Sequence, residues 1–218
     1  MKKLKIKNSS KEYFPGKLVC VGRNYAAHAK ELGNEIPEFP IIFLKPSSDI
    51  IFSGEKIIHP EYSNELHHEI ELVLLIGKSI SKGNKIQAEE AIAGYGVGLD
   101  MTLRDLQHQL KAKGQPWTLA KCFDTSAVLS DFILKEEYRL NLKENIKLSV
   151  NGEQRQNSLL ENMIFDPSEI VEYISARMTL EEGDLVFTGT PAGVGPVKKG
   201  DRIEAEIENI GKILTEII

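Results

Sequence analysis

The 218-residue chain is poor in cysteine and in aromatic residues and has no long apolar run. Its two cysteines, Cys20 and Cys122, follow no regular spacing. That excludes a disulfide-stapled secreted scaffold and fits a reducing compartment. The longest apolar stretch, residues 72–76, is far too short to span a bilayer. Residues 1–10 are basic but lack the apolar segment of a signal peptide, so a cytoplasmic location is expected. Positive charge is not in excess: the formal net charge is -5, which argues against a nucleic-acid surface. With 41% hydrophobic and 27% charged residues, the composition is that of an ordinary globular domain, long enough to bury its own core.

No internal repeat and no abrupt change of composition divides the chain. Pro15-Gly16 is a turn signal, which sets a short N-terminal arm (1–15) apart from one domain over 16–218. Within that domain, short apolar runs alternate with few helical segments. Residues 18–21, 41–44, 69–76 and 91–99 are expected as strands. Asn151-Gly152 between residues 146–150 and 153–156 signals a hairpin. Asn24 is expected to cap a helix over 25–32, ended by Gly33, and Thr102 to cap one over 103–113, ended by Gly114. Asp166-Pro167 opens a helix to about residue 177, and residues 185–187, 202–207 and 213–217 close the chain as strands. The pattern predicts an α+β, β-rich domain.

Three carboxylates stand out. Glu69 and Glu71 are two apart on a strand, so they share a face about 7 Å apart at the backbone. The strand then turns apolar on both faces, and bare carboxylates at its head are costly without a compensating charge. Asp100 ends a second strand after Gly94, Gly96 and Gly98. An all-oxygen set of this kind suits Mg²⁺ or Mn²⁺ better than Zn²⁺. A solvated strand edge produces the same spacing, and a structural Ca²⁺ would use the same acids.

Other candidates are weaker. His28 and Glu31 share a helix face, as a base and its orienting carboxylate do, and as a surface ion pair also does. Arg23 lies at a strand-to-helix turn where an anion or a helix end could be met. Arg104 and Gln107 share a face just after Asp100, while Lys45 and Lys121 end apolar segments. His67-His68-Glu69 lacks the second histidine of a zinc-protease motif, and neither glycine cluster, at 94–98 or 193–195, matches a nucleotide-binding loop.

Taken together, these segments resemble the fumarylacetoacetate hydrolase family. The matching stretches are Val21-Gly22-Arg23-Asn24-Tyr25 with His28, Phe43-Leu44-Lys45-Pro46, Glu69-Ile70-Glu71-Leu72, and Asp100-Met101-Thr102 with Arg104-Asp105 and Gln107. Residues 117–121, Met163-Ile164-Phe165 and Gly189-Thr190-Pro191 with Gly193-Val194-Gly195 complete the series. The likeness runs from about residue 16 onward, to the short single-domain members that act on acylpyruvates and oxaloacetate. It implies a mixed β-roll, usually a homodimer, using Mg²⁺ or Mn²⁺. By position, Glu69, Glu71 and Asp100 match metal ligands, and His28, Glu31 and Lys121 match catalytic residues. Arg23 belongs to the first matching stretch and is assigned to substrate; Lys45, Arg104, Gln107 and Thr190 match substrate-binding positions. The reaction so implied is acylpyruvate hydrolysis, with oxaloacetate decarboxylation or tautomerisation as the alternative and non-catalytic 2-oxo acid binding as a remote one. Two departures touch substrate fit: residues 126–131 lack a Gly-Pro-type turn, and Leu160-Glu161-Asn162 stands where many relatives carry Thr.

Overall fold

The computed structural model describes residues 2–31, 33 and 35–218. Among the described residues, fifteen strands follow in chain order. The first seven are β1 Leu18–Gly22, β2 Ile41–Lys45, β3 Ile50–Phe52, β4 Leu66–His68, β5 Ile70–Ile76, β6 Ile92–Asp100 and β7 Thr102–Leu103. The remainder are β8 Ala127–Leu129, β9 Ile133–Leu134, β10 Asn145–Val150, β11 Glu153–Leu159, β12 Leu185–Phe187, β13 Gly195–Val197, β14 Arg202–Ile207 and β15 Gly211–Glu216. The helices are short: α1 Ala26–Glu31, α2 Lys85–Ala91, α3 Arg104–Ala112, α4 Thr118–Lys121 and α5 Pro167–Ser175.

Strands β2-β1-β12-β5-β6-β8-β3 form one mixed sheet, with β9 added against β6. The β1–β12 and β3–β8 pairs are parallel and the others antiparallel. A second sheet, β11-β10-β14-β15, is antiparallel, and β13-β4-β7 make a small third. The β-rich α+β class expected from the sequence is the one observed.

Strand β5 explains the layering. Ile70, Leu72, Leu74 and Ile76 join a core with the second sheet and α5, while Val73 and Leu75 join a second core on the opposite face. Both faces are therefore apolar, as buried central strands require. Strand β6 alternates otherwise. Tyr95, Val97 and Leu99 fill the first core, whereas Gly94, Gly96 and Gly98 face the second. Room for that second layer exists only because these glycines lack a Cβ: one on Gly96 would sit 2.9 Å from the Phe132 ring, and one on Gly98 2.5 Å from both Phe187 and Val73. Leu4 and Tyr13 from the N-terminal segment pack into the same layer.

Local signals account for several elements. Asn151 and Gly152 both take positive φ, as a tight two-residue hairpin turn between β10 and β11 demands. Asp166 and Glu169 form a capping box at the start of α5, as Asn84 and Gln87 do for α2, a helix the sequence pattern did not flag. Two expected caps differ. Thr102 lies in β7 and α3 begins at Arg104 with no side-chain cap, because the Thr102 hydroxyl accepts from Lys121 instead. Asn24 caps nothing: its amide donates to the carbonyls of Phe165 and Thr188 and accepts from the Phe165 N–H, tying three segments together. Leu32, the expected last residue of that helix, lies outside the described residues. Among the described residues no helix is long and apolar enough to cross a membrane.

Gly98 is the register partner of Glu71. Gly98→Ala is expected to lower stability by about 1–3 kcal/mol through overpacking, read as a lower midpoint in urea denaturation.

Candidate active site

Antiparallel pairing of β5 and β6 builds the centre. Residue 70 pairs with 99 and 71 with 98, and the Asp100 N–H donates to the Glu69 carbonyl at 2.9 Å. Asp100 therefore stands across from the head of the strand that carries Glu71. The ligand atoms of Glu69, Glu71 and Asp100 lie within 4.8 Å of one another, and all three residues are buried.

Three cationic side chains from three other elements meet them. Lys121, at the end of α4, donates to Glu69 Oε2 at 2.7 Å, to Asp100 Oδ2 at 2.6 Å and to Thr102 Oγ1 at 2.6 Å. All three of its hydrogens are thereby used, so towards a ligand it acts through charge. Arg104, the first residue of α3, binds Glu69 Oε1 through Nη2 and Gln107 Oε1 through Nη1. Lys45, at the end of β2, is 2.9 Å from Asp100 Oδ1 and donates to the carbonyls of Met101 and Ser126 and to the Ser126 hydroxyl.

The fields are uneven. Burial raises the Glu69 carboxyl, but the Lys121 and Arg104 charges outweigh it and hold it well below the usual carboxylate range. Burial lowers the Lys121 ammonium, but Asp100 and Glu69 reverse that and keep it charged. Glu71 has fewer partners. Burial together with the Asp100 and Glu69 charges pushes its carboxyl well up, against a single backbone hydrogen bond from Gly189 at 2.7 Å. Asp100 Oδ1 accepts no hydrogen bond despite the nearby ammonium. An acid driven towards protonation by its neighbours' charge expresses demand for another cation. The oxygen-only donor set fits a hard divalent ion.

A cleft open to solvent lies over this centre. Arg23, His28, Arg104, Gln107, Lys121 and Thr190 line it with the three carboxylates, and Phe43 and Trp117, edge to face at 6.0 Å, form an apolar wall. His28 Nδ1 lies 3.2 Å from Glu31 Oε2. With that hydrogen given to the carboxylate, Nε2 carries the free lone pair. Burial lowers the His28 pKa, so the ring is neutral at pH 7 and able to take a proton. Both Glu31 oxygens accept from the Gly193 N–H, at 3.0 and 3.2 Å, which docks α1 onto the loop after β12. Gly193 has φ +97°, and a Cβ there would lie 2.0 Å from the Arg155 carbonyl.

Of the residues expected from sequence, all but Lys45 and Glu31 line the cleft. Glu31 sits behind His28. The expectation that Lys45 meets substrate does not match its place: it is 1% exposed, lies behind Asp100, and spends its hydrogens on protein acceptors. Its position suits holding Asp100. The sequence reading passed over Gln156, whose buried amide joins His68 and Ile70 to Thr190 and Pro191, and also His108 and Lys111 on the cleft wall. Gln156 stands in a polar strand, and nothing in that pattern marks it as buried.

Known proteins place the chain in a family. The family model for the C-terminal region of fumarylacetoacetate (FAA) hydrolase matches residues 17–218. The chain belongs to the fumarylacetoacetate hydrolase family. It is an enzyme of that family by sequence and by fold. The mitochondrial oxaloacetate tautomerase of Arabidopsis thaliana is 47% identical over 92% of this chain and 90% of its own length. The human mitochondrial oxaloacetate tautomerase is 46% identical over 88% of this chain and 87% of its own. The fumarylpyruvate hydrolase of Pseudomonas aeruginosa, solved with Mn²⁺ and pyruvate, superposes with a TM-score of 0.96 at 39% identity, covering 100% of this chain and 95% of that one.

Excess Mn²⁺ or Mg²⁺ is expected to raise the melting temperature. At a hundredfold excess over Kd the gain is about 2.7 kcal/mol. Glu71→Gln should remove that response, as seen by calorimetry with and without chelator.

Proposed function

We propose that this enzyme uses one divalent cation, Mg²⁺ or Mn²⁺, to hydrolyse the carbon–carbon bond of acylpyruvates, giving pyruvate and a carboxylic acid. The observation that carries the reading is the His28–Glu31 pair set on the same cleft as Glu69, Glu71 and Asp100. The Mn²⁺ and pyruvate complex of the Pseudomonas relative supports the ion and the product. Bound there, the cation supplies positive charge where negative charge develops on the 2-oxo acid. The three acids already face three cationic side chains, so a divalent ion leaves the site net positive and attractive to a carboxylate.

His28 Nε2 takes a proton from water as the water oxygen attacks the acyl carbonyl, and Glu31 stabilises the imidazolium so formed. Lys121 contributes positive charge to the resulting oxyanion, and Arg23, Arg104, Gln107 and Thr190 orient the 2-oxo acid. The acyl carbon then parts from its neighbour, which keeps the electron pair and takes a proton, while the acyl group leaves as the acid.

A second reading, oxaloacetate tautomerisation or decarboxylation, is favoured by the higher identity to the tautomerases. Acetylpyruvate, fumarylpyruvate and oxaloacetate, each with Mn²⁺ and with chelator, separate the two in product analysis by NMR. Release of pyruvate with acetate or fumarate supports hydrolysis. Oxaloacetate turnover with the acylpyruvates untouched transfers the assignment. His28→Gln should cut hydrolysis about 10²–10⁴-fold with Mn²⁺ affinity retained. Because burial lowers the His28 pKa, wild-type turnover should persist as pH falls through 6.5 and decline only below it.

We further propose a homodimer. Supporting it, β2 is an edge strand whose Leu44 is exposed beside an apolar groove with Pro116 and Trp117. Light scattering should give twice the 24.4 kDa chain mass, and Leu44→Lys should shift it towards monomer. Unpaired Cys20 and Cys122 support a cytoplasmic location, and the family match beginning at residue 17 supports treating residues 1–15 as an arm on the catalytic domain.

A further inference from the structure

Gln156 is fully buried on β11, and its amide has four partners. Ile70 N–H, between Glu69 and Glu71, lies 3.2 Å from Oε1 and can only donate. The Pro191 carbonyl lies 2.8 Å from Nε2 and can only accept. Two backbone groups on opposite sides thus fix the amide's orientation independently. His68 Nδ1, 3.0 Å from Oε1, must then carry its hydrogen, in keeping with a ring that burial holds neutral.

The remaining partner is Thr190 Oγ1, 2.8 Å from Nε2. Since Nε2 donates, the hydroxyl accepts and keeps one hydrogen to give. Among the described residues no protein acceptor takes that hydrogen, and Thr190 lines the cleft. We infer that Gln156 is a positioning residue that turns Thr190 into a hydrogen-bond donor towards the ligand. That point of the cleft is thereby reserved for an acceptor such as a carboxylate oxygen. The inference rests on the reading that Thr190 meets the substrate. It also links ligand polarity to the strand bearing Glu71, because the same amide grips Ile70.

The test is a double-mutant cycle on pyruvate binding to Mn²⁺-saturated protein by calorimetry, with Mn²⁺ affinity measured separately. Thr190→Val should weaken pyruvate about tenfold, the scale of one hydrogen bond to a charged group. Gln156→Glu, which offers only acceptors and draws the hydroxyl hydrogen to itself, should cost at least as much. In the Thr190→Val background it should cost nothing further, and Mn²⁺ affinity should hold throughout. Gln156→Met, uncharged and of similar length, repeats the cycle if the glutamate variant does not fold. Unchanged pyruvate binding in Thr190→Val would remove Thr190 from the substrate site and the inference with it. Loss in Thr190→Val alongside normal binding in the Gln156 variants, or additive costs, would overturn the relay while leaving the substrate site intact. A parallel fall in Mn²⁺ affinity would reduce Gln156 to a support for β5.

Discussion

Three carboxylates buried within 4.8 Å of one another repel each other, and the dry interior that surrounds them magnifies the repulsion. Much of the surrounding architecture offsets that cost. Lys45 arrives from β2, Arg104 from the start of α3 and Lys121 from the end of α4, so three connections must fold correctly before the charges balance. The balance is incomplete at Glu71, whose carboxyl is pushed up by burial and by the neighbouring Asp100 and Glu69 charges. A centre of this kind contributes specificity of arrangement more than stability, since buried ion pairs seldom repay their desolvation in full.

A second set of contacts carries order outwards from the centre. Gly189 donates its N–H to Glu71, and Asn24 grips the neighbouring Thr188 carbonyl. Gly193, a few residues on, receives Glu31. The loop after β12 therefore touches Glu71 at one end and Glu31, beside His28, at the other. Helix α1, only six residues long, has little intrinsic stability. It is held by this loop and by Tyr25 and Ala29, which pack inside. His28 and the acid cluster are thus registered against each other by a turn whose backbone geometry requires glycine.

The reactions under consideration share their first demand and differ in the second. Hydrolysis, decarboxylation and tautomerisation all require negative charge to be stabilised on a 2-oxo acid. Only hydrolysis requires a base positioned to activate water, the part the proposed function gives to His28 beside Glu31. One centre can thus host several outcomes, and the wall of the cleft that surrounds it carries Arg23, His108 and Lys111.

The sequence by itself determined the β-rich class, the Asn151-Gly152 hairpin, the capping box of α5 and the two-residue spacing of Glu69 and Glu71, although Glu69 lies just before β5 rather than in it. Each depends on neighbours in the chain: alternation, a turn dipeptide, a cap three residues from its partner. It also marked Asp100 as a strand end, and the family likeness joined it to the pair. What only the tertiary structure decided is where polar groups spend their hydrogens. Asn24 and Thr102 look locally like helix caps, yet both are drawn to distant partners that bury them more completely. Lys45 reads as a ligand-facing strand end until Asp100 is found in front of it. Gln156, in a strand that reads as solvent-exposed, joins β5 to the Thr190 turn across 86 and 34 residues of chain. Periodicity records which face of an element is apolar. The orientation of a buried amide or ammonium is set by acceptors that folding brings together, and no local pattern encodes them.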